Sequence, residues 1–188
     1  MARVKSPEKR QAILRATVCE ITQVGLGAST ARIAKEAGLA EGTIFTYFPS
    51  KDDLLNELYI ELKTEVYRRM HANFPHESGL RERARHIWTE YLRWAIEKPD
   101  DRKVSVLLNL STIVWATTRE RISAERGAVT QTMDELDKRG AFKDLPPGFA
   151  SSAMTAMQEA VMEMAAKKPR QKTMLVEQAF DAFWRMAK

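Results

Sequence analysis

"TARIAKEAGLAEGTIFTYFPSKDDLL", residues 30–55, fits two short helical segments around Gly38-Leu39 and stops the second at Pro49 before a new helix begins. The second segment is only about two turns long, too short to be stable alone in water, because nucleation costs more than two turns return. Neighbouring helices must hold it, so its exposed face is what the arrangement serves. Ser29 or Thr30 caps the first of the pair and Gly38 closes it. Ser50 caps the helix that follows, with Asp53 three residues on in a capping-box position.

The chain on either side also reads as helix. Ser6-Pro7-Glu8 supplies an N-cap, a first-turn proline and an acid at the positive end of the dipole, and Gly25 and Gly27 end that first helix. Leu54, Leu55, Leu58, Tyr59, Leu62, Val66 and Met70 form one apolar stripe, which "NFPHESG" (73–79) breaks. Leu80, Ala84, Ile87, Trp88, Tyr91, Leu92, Ala95 and Ile96 form the next. "KPDD" (98–101) separates that helix from a mostly apolar stretch, 104–116, which reads as a central, surrounded helix. Residues 118–139 read as one polar helix around Gly127, "GAFKDLPPGF" (140–149) as a loop, and 150–167 and 173–187 as two closing helices. No period-two pattern competes, so the expected fold is all-α with about nine helices. A three-helix helix-turn-helix module is expected over residues 1–50, and a larger antiparallel helical body over 51–188.

With 188 residues and 44% of them hydrophobic, the chain can bury a sizeable core. The net charge of +5 is unevenly placed: residues 1–51 hold eight Lys/Arg against four Asp/Glu, whereas the remainder holds 22 against 21. The basic bias therefore sits with the short helices and points to a polyanionic partner for that part alone. One cysteine, Cys19, excludes an internal disulfide and fits a reducing compartment. No apolar run reaches the roughly 18–20 residues that span a bilayer, and no signal-peptide core follows the first residues, so a soluble cytoplasmic protein without a membrane partner is expected. His71, His76 and His86 show no metal-ligand spacing. A glycine-rich phosphate loop, a Ser-His-Asp set and a pair of inward-facing carboxylates are all missing, so no catalytic residue, metal or cofactor is expected, and not an enzyme.

Two short helices preceded by a longer one describe a helix-turn-helix. The same run resembles the DNA-binding signature of the TetR family of transcriptional regulators. Ile33-Ala34, Ala37-Gly38, Gly42-Thr43, Tyr47-Phe48, Ser50-Lys51 and Leu54-Leu55 all fall at the offsets of that signature. The resemblance covers about residues 10–58, and the remainder matches only in general architecture. It implies that the second short helix enters the major groove of double-stranded DNA. Gly42 would let that helix approach base edges closely. Thr43 and Thr46 offer hydroxyls to bases or phosphates and methyls to thymine. Tyr47 reaches a phosphate through its hydroxyl, and Lys51 and the pair Ser29 and Thr30 hold phosphates at helix starts. Arg32 and the arm residues Arg3 and Lys5 add backbone contacts. Phe45 stands where the family usually has Tyr, so an apolar contact to a thymine methyl or a sugar is expected instead. Glu41 stands where a basic or amide side chain is common, and it is left out of the contact set.

One such module binds weakly, so a homodimer on a palindromic operator is expected. Met157, Val161 and Met164 on the penultimate helix, with Phe180, Phe183 and Trp184 on the last, offer a seam, and six of the nine methionines fall beyond residue 150. The same face could instead pack inside its own subunit. Resemblance to the family implies a four-helix bundle between subunits and a small-molecule effector, apolar or aromatic, bound in the body. Tyr67, Met70, Trp88, Tyr91, Trp94 and Trp115 are the candidates to line its site, with core packing as the alternative for each. The reading is a repressor released from its operator by that effector. Its rival is a helical ligand-binding or scaffolding protein whose helix-turn-helix no longer reads DNA.

Overall fold

The computed structural model describes residues 6–188, so Arg3 and Lys5 lie outside the described residues. Among the described residues there are ten α-helices and no strand. In order these are α1 (Pro7–Val24), α2 (Thr30–Glu36), α3 (Glu41–Tyr47), α4 (Lys51–His71), α5 (Leu80–Glu97), α6 (Pro99–Leu110), α7 (Ala116–Ala124), α8 (Ala128–Asp137), α9 (Phe149–Lys167) and α10 (Lys172–Met186). The chain divides into two compact units. One holds residues through Thr64 together with Lys98–Ser123, and the other holds Glu65–Glu97 and Ala124–Lys188.

In the first unit, α1 starts where the Lys9 N–H donates to Ser6 Oγ (3.3 Å) and Pro7 fills the first turn. It ends at Gly25, whose φ of +76° suits glycine. α2 packs on α1 and α3 packs on α2. Ile13, Leu14 and Ile21 of α1, Ile33 and Ala34 of α2, and Ile44 of α3 are all buried. At the start of α4 the Asp53 N–H donates to Ser50 Oγ (3.1 Å). Asp53 Oδ2 takes the Ser50 hydroxyl proton (2.5 Å) rather than a backbone N–H, because an aspartate is one methylene shorter than the glutamate of the full capping box. Arg10 ties α1 to α4 through Glu57 (2.8 Å) and Glu61 (3.3 Å).

The stretch expected to run as one surrounded helix over 104–116 behaves differently. "KPDD" does separate two helices, but the break is Lys98 alone: α5 ends at Glu97 and Pro99 opens α6, with Asp100 and Asp101 in its first turn. α6 packs on α1 and stops at Leu110, which is 79% exposed. The chain is then held out of helix by Asn56, buried on α4. Its Nδ2 donates to Ile113 O (3.1 Å), and its Oδ1 accepts the Trp115 N–H (3.0 Å). Arg119 reinforces the stop by donating to Asn109 O (3.1 Å) and Ser111 O (2.9 Å).

The second unit is a helical cluster in which α5 touches α8, α9 and α10. Its core holds Trp88, Leu92 and Trp94 of α5, Leu136 of α8, Met154 and Val161 of α9, and Phe180 and Phe183 of α10. The single polar helix expected over 118–139 is two, broken at Gly127, where φ is +45°. That glycine leaves room for the His71 ring, 3.4 Å from where a Cβ would stand, and His71 Nε2 meets Glu125 O at 2.9 Å. The expected loop 140–149 contains a short 3-10 turn, Gly140–Asp144, that buries Phe142. Asp137 then accepts the Gly148 and Ala150 N–H groups (2.6 and 2.9 Å) and so caps α9.

Gly140 has φ +50°, and a Cβ there would run into the Met186 carbonyl oxygen and lie 2.7 Å from Ala187 C. Gly140→Ala is therefore expected to cost about 3 kcal/mol, from left-handed backbone strain and steric overlap together. Gly148→Ala, at φ +87° but with open space beside it, should cost only about 1 kcal/mol. Urea midpoints of the two variants check this, and equal shifts would show that the C-terminal backbone is not seated against Gly140.

Candidate nucleic-acid interface

α3 buries Ile44 and turns Glu41, Gly42, Phe45 and Thr46 outward, a face set by the i, i+3, i+4 spacing. Nothing lies within 4 Å of the place where a Cβ on Gly42 would stand. That glycine is not required by the chain's own packing. Phe45 is 46% exposed.

The donors around this face are distributed as follows. Ser29 Oγ accepts the Arg32 N–H (3.3 Å), which caps α2 and leaves its hydroxyl proton for another acceptor. Thr43 is half-buried; its N–H donates to Ala40 O (2.9 Å), and its hydroxyl has no hydrogen-bond partner among the described residues. Lys51 Nζ donates one proton to Leu26 O (2.9 Å), drawing the α1–α2 connection onto the start of α4. Its ammonium group has two more donors. Arg32 Nε holds the buried Glu20 carboxylate at 2.7 Å and keeps its terminal nitrogens outward, with the side chain 53% exposed. Tyr47 Oη accepts the Ser6 N–H (3.0 Å), which ties the end of α3 to the start of α1. Thr46 bonds back to Gly42 O only at 3.4 Å. The Thr30 hydroxyl donates to Glu41 Oε1 at 2.6 Å. Sequence reasoning gave Thr30 a phosphate and left Glu41 out. The bond joins residues 11 apart on different helices, and no local pattern announces it.

Cys19 is half-buried on α1, where burial pushes its pKa above the ordinary value and the neighbouring Glu36 carboxylate adds to that.

The residues expected to line an effector site fall in both units. Trp115 belongs to the first and is 44% exposed. Trp88 belongs to the second, where its indole N–H donates to Val176 O (3.1 Å). Its ring lies 6.0 Å from Phe180 and 6.4 Å from Phe183. Met70 and Trp94 are buried in the same core. Tyr91 donates to Glu159 Oε1 (2.8 Å), and the Trp94 indole N–H is buried without an acceptor. Burial pushes the Tyr67 phenol pKa up, and Arg126 works against the shift. Of the residues expected at a subunit seam, Val161, Phe180 and Phe183 are buried within their own chain, Met157 and Trp184 are half-buried, and Met164 is 46% exposed.

Among the described residues no group of three or more His, Cys, Asp or Glu side chains is placed to hold a metal ion. No helix among them is long and apolar enough to cross a membrane.

A short helix displayed with free donors around it, on a second short helix and a longer first one, is a helix-turn-helix of the DNA-binding type. Residues 13–58 match the family model for bacterial regulatory proteins of the tetR family. The regulator BetI of Stenotrophomonas maltophilia (strain R551-3) is 42% identical over 67 residues, 33% of this chain and 34% of BetI. The match thus spans about a third of that relative's length. A tetR family protein of Shewanella sp. PV-4 superposes with a TM-score of 0.81 at 26% identity, over 94% of this chain and 96% of that one. A TetR family transcription regulator of Marinobacter aquaeolei VT8, at 23% identity and a TM-score of 0.78 over 93% and 94% of the two chains, shares the fold. Residues 13–58 thus carry the DNA-binding module of the tetR family, and over nearly its whole length the chain shares the fold of TetR regulators.

Proposed function

We propose that this chain is a sequence-specific DNA-binding transcriptional regulator, a repressor that binds a palindromic operator as a homodimer and leaves it when a small-molecule effector binds. The observation that carries the reading is the face of α3, where Gly42, Phe45 and Thr46 are exposed and Ser29, Thr43 and Lys51 keep donors around them. In this reading α3 lies in the major groove and the surrounding donors fix its register on phosphates. Met157, Met164 and Trp184 form the part of the α9–α10 surface that a second copy covers. The effector is apolar or aromatic and engages the unpaired Trp94 N–H beside Tyr91. α4 carries residues of both compact units, and its movement on effector binding is the step that separates the two recognition helices. The effector must favour one arrangement energetically, since equal affinity for both would shift nothing.

The test is selection of duplexes from a randomised DNA pool, followed by the affinity of the winner across a salt series. A palindromic winner is expected, with affinity falling steeply as salt rises. Lys51→Ala should weaken binding about 10-fold on every sequence and lower the salt slope by about one. Glu41 and the lost Thr30 donor favour the second reading, a module that no longer reads DNA. Enrichment of no sequence would decide for it.

A further inference from the structure

We infer that Glu41 is a base-reading residue that selects cytosine, and that its bond to Thr30 is the brace that aims it. The inference rests on the reading of α3 as the groove-entering helix. Glu41 stands beside Gly42 on the exposed side of α3. Its Oε1 is fixed by the Thr30 hydroxyl at 2.6 Å, across from α2. Among the described residues no donor reaches Oε2. The carboxylate is therefore held in one orientation with one oxygen outward, a pure acceptor on a surface that otherwise offers donors.

A carboxylate on such a surface repels phosphates and lowers affinity for DNA in general. It becomes favourable only against a donor, and the major groove displays two, the cytosine N4 amino group and the adenine N6 amino group. Adenine carries the N7 acceptor beside its amino group, which repels an approaching carboxylate, while cytosine has only a C–H there. Glutamate thus discriminates for cytosine. The Thr30 brace makes the discrimination cheap, since the side chain is ordered before DNA arrives. It also explains why Thr30 gives up its only side-chain donor: the task of that hydroxyl is to position Glu41 and not to bind a phosphate.

The experiment repeats the duplex selection with wild type, Glu41→Gln and Glu41→Ala, and adds the affinity of each for random-sequence DNA. Both substitutions are on the surface, and matching melting curves confirm folding. Wild type should enrich one cytosine per half-site at a position that changes in the variants. Glu41→Gln should shift that position toward adenine, since an amide pairs with N6 and N7 together. Glu41→Ala should lose the preference, on the order of 10-fold, while binding random DNA more tightly than wild type. If Glu41→Ala gains affinity on all sequences equally and keeps the wild-type base preferences, Glu41 only repels and the inference is overturned. If wild type itself enriches no sequence, the regulator reading falls and takes the inference with it.

Discussion

Trp88→Ala is expected to lower the melting temperature by roughly 10 °C, from a loss of about 3–5 kcal/mol. The indole is 1% exposed in the middle of the second unit, against Phe180 and Phe183. Truncation removes that packing and leaves a cavity that the surrounding helices only partly fill. It also removes the indole N–H that donates to Val176 O. For a domain with a net stability of about 5–15 kcal/mol, this is a large part of the whole. Trp115→Ala, at a side chain 44% exposed, should move the transition by less than about 2 °C. Circular dichroism melts of the pair decide between the two roles that sequence left open for Trp88. A residue lining an effector site borders space already empty and loses little on truncation, so a Trp88→Ala melt matching wild type would place it at such a site.

The helix-turn-helix was legible because each boundary is marked locally. Ser6-Pro7, Ser29, Gly38, Pro49 and Ser50 act through the backbone within a few residues, and each sits at an observed helix end. The end of α6 was not legible, since Leu110-Ser111-Thr112 carries no glycine or proline. It is decided by Asn56, which lies 57 residues from Ile113 and grips backbone groups there. Gly127 was visible as a glycine, but only the chain's path over the His71 ring makes its positive φ a break. The apolar stripes of α9 and α10 show the same limit differently. Periodicity says that Val161, Phe180 and Phe183 are covered, and it carries no information on whether the cover comes from the same chain. The fold answers for those three and leaves Met164 outside.

Gly42→Ala is expected to stabilise the free protein by about 0.5–1 kcal/mol and to weaken operator binding by roughly 10- to 100-fold. The two effects have separate physical sources. Gly42 lies within α3 with helical backbone and nothing within 4 Å of the added methyl, so alanine relieves the entropic cost of a helical glycine without a clash. A sequence under selection for stability alone would hold alanine there. Glycine makes sense if a surface outside the chain comes close to that point, and the same methyl then intrudes on the contact. One misfitting methyl in a tight interface costs about 1–3 kcal/mol, which sets the expected loss of affinity. Thermal melts and operator titrations on the same preparation measure both. A variant that is more stable and binds the operator as wild type does would mean that the Gly42 edge of α3 does not touch DNA, and the groove contact would have to be drawn around Phe45 and Thr46 instead.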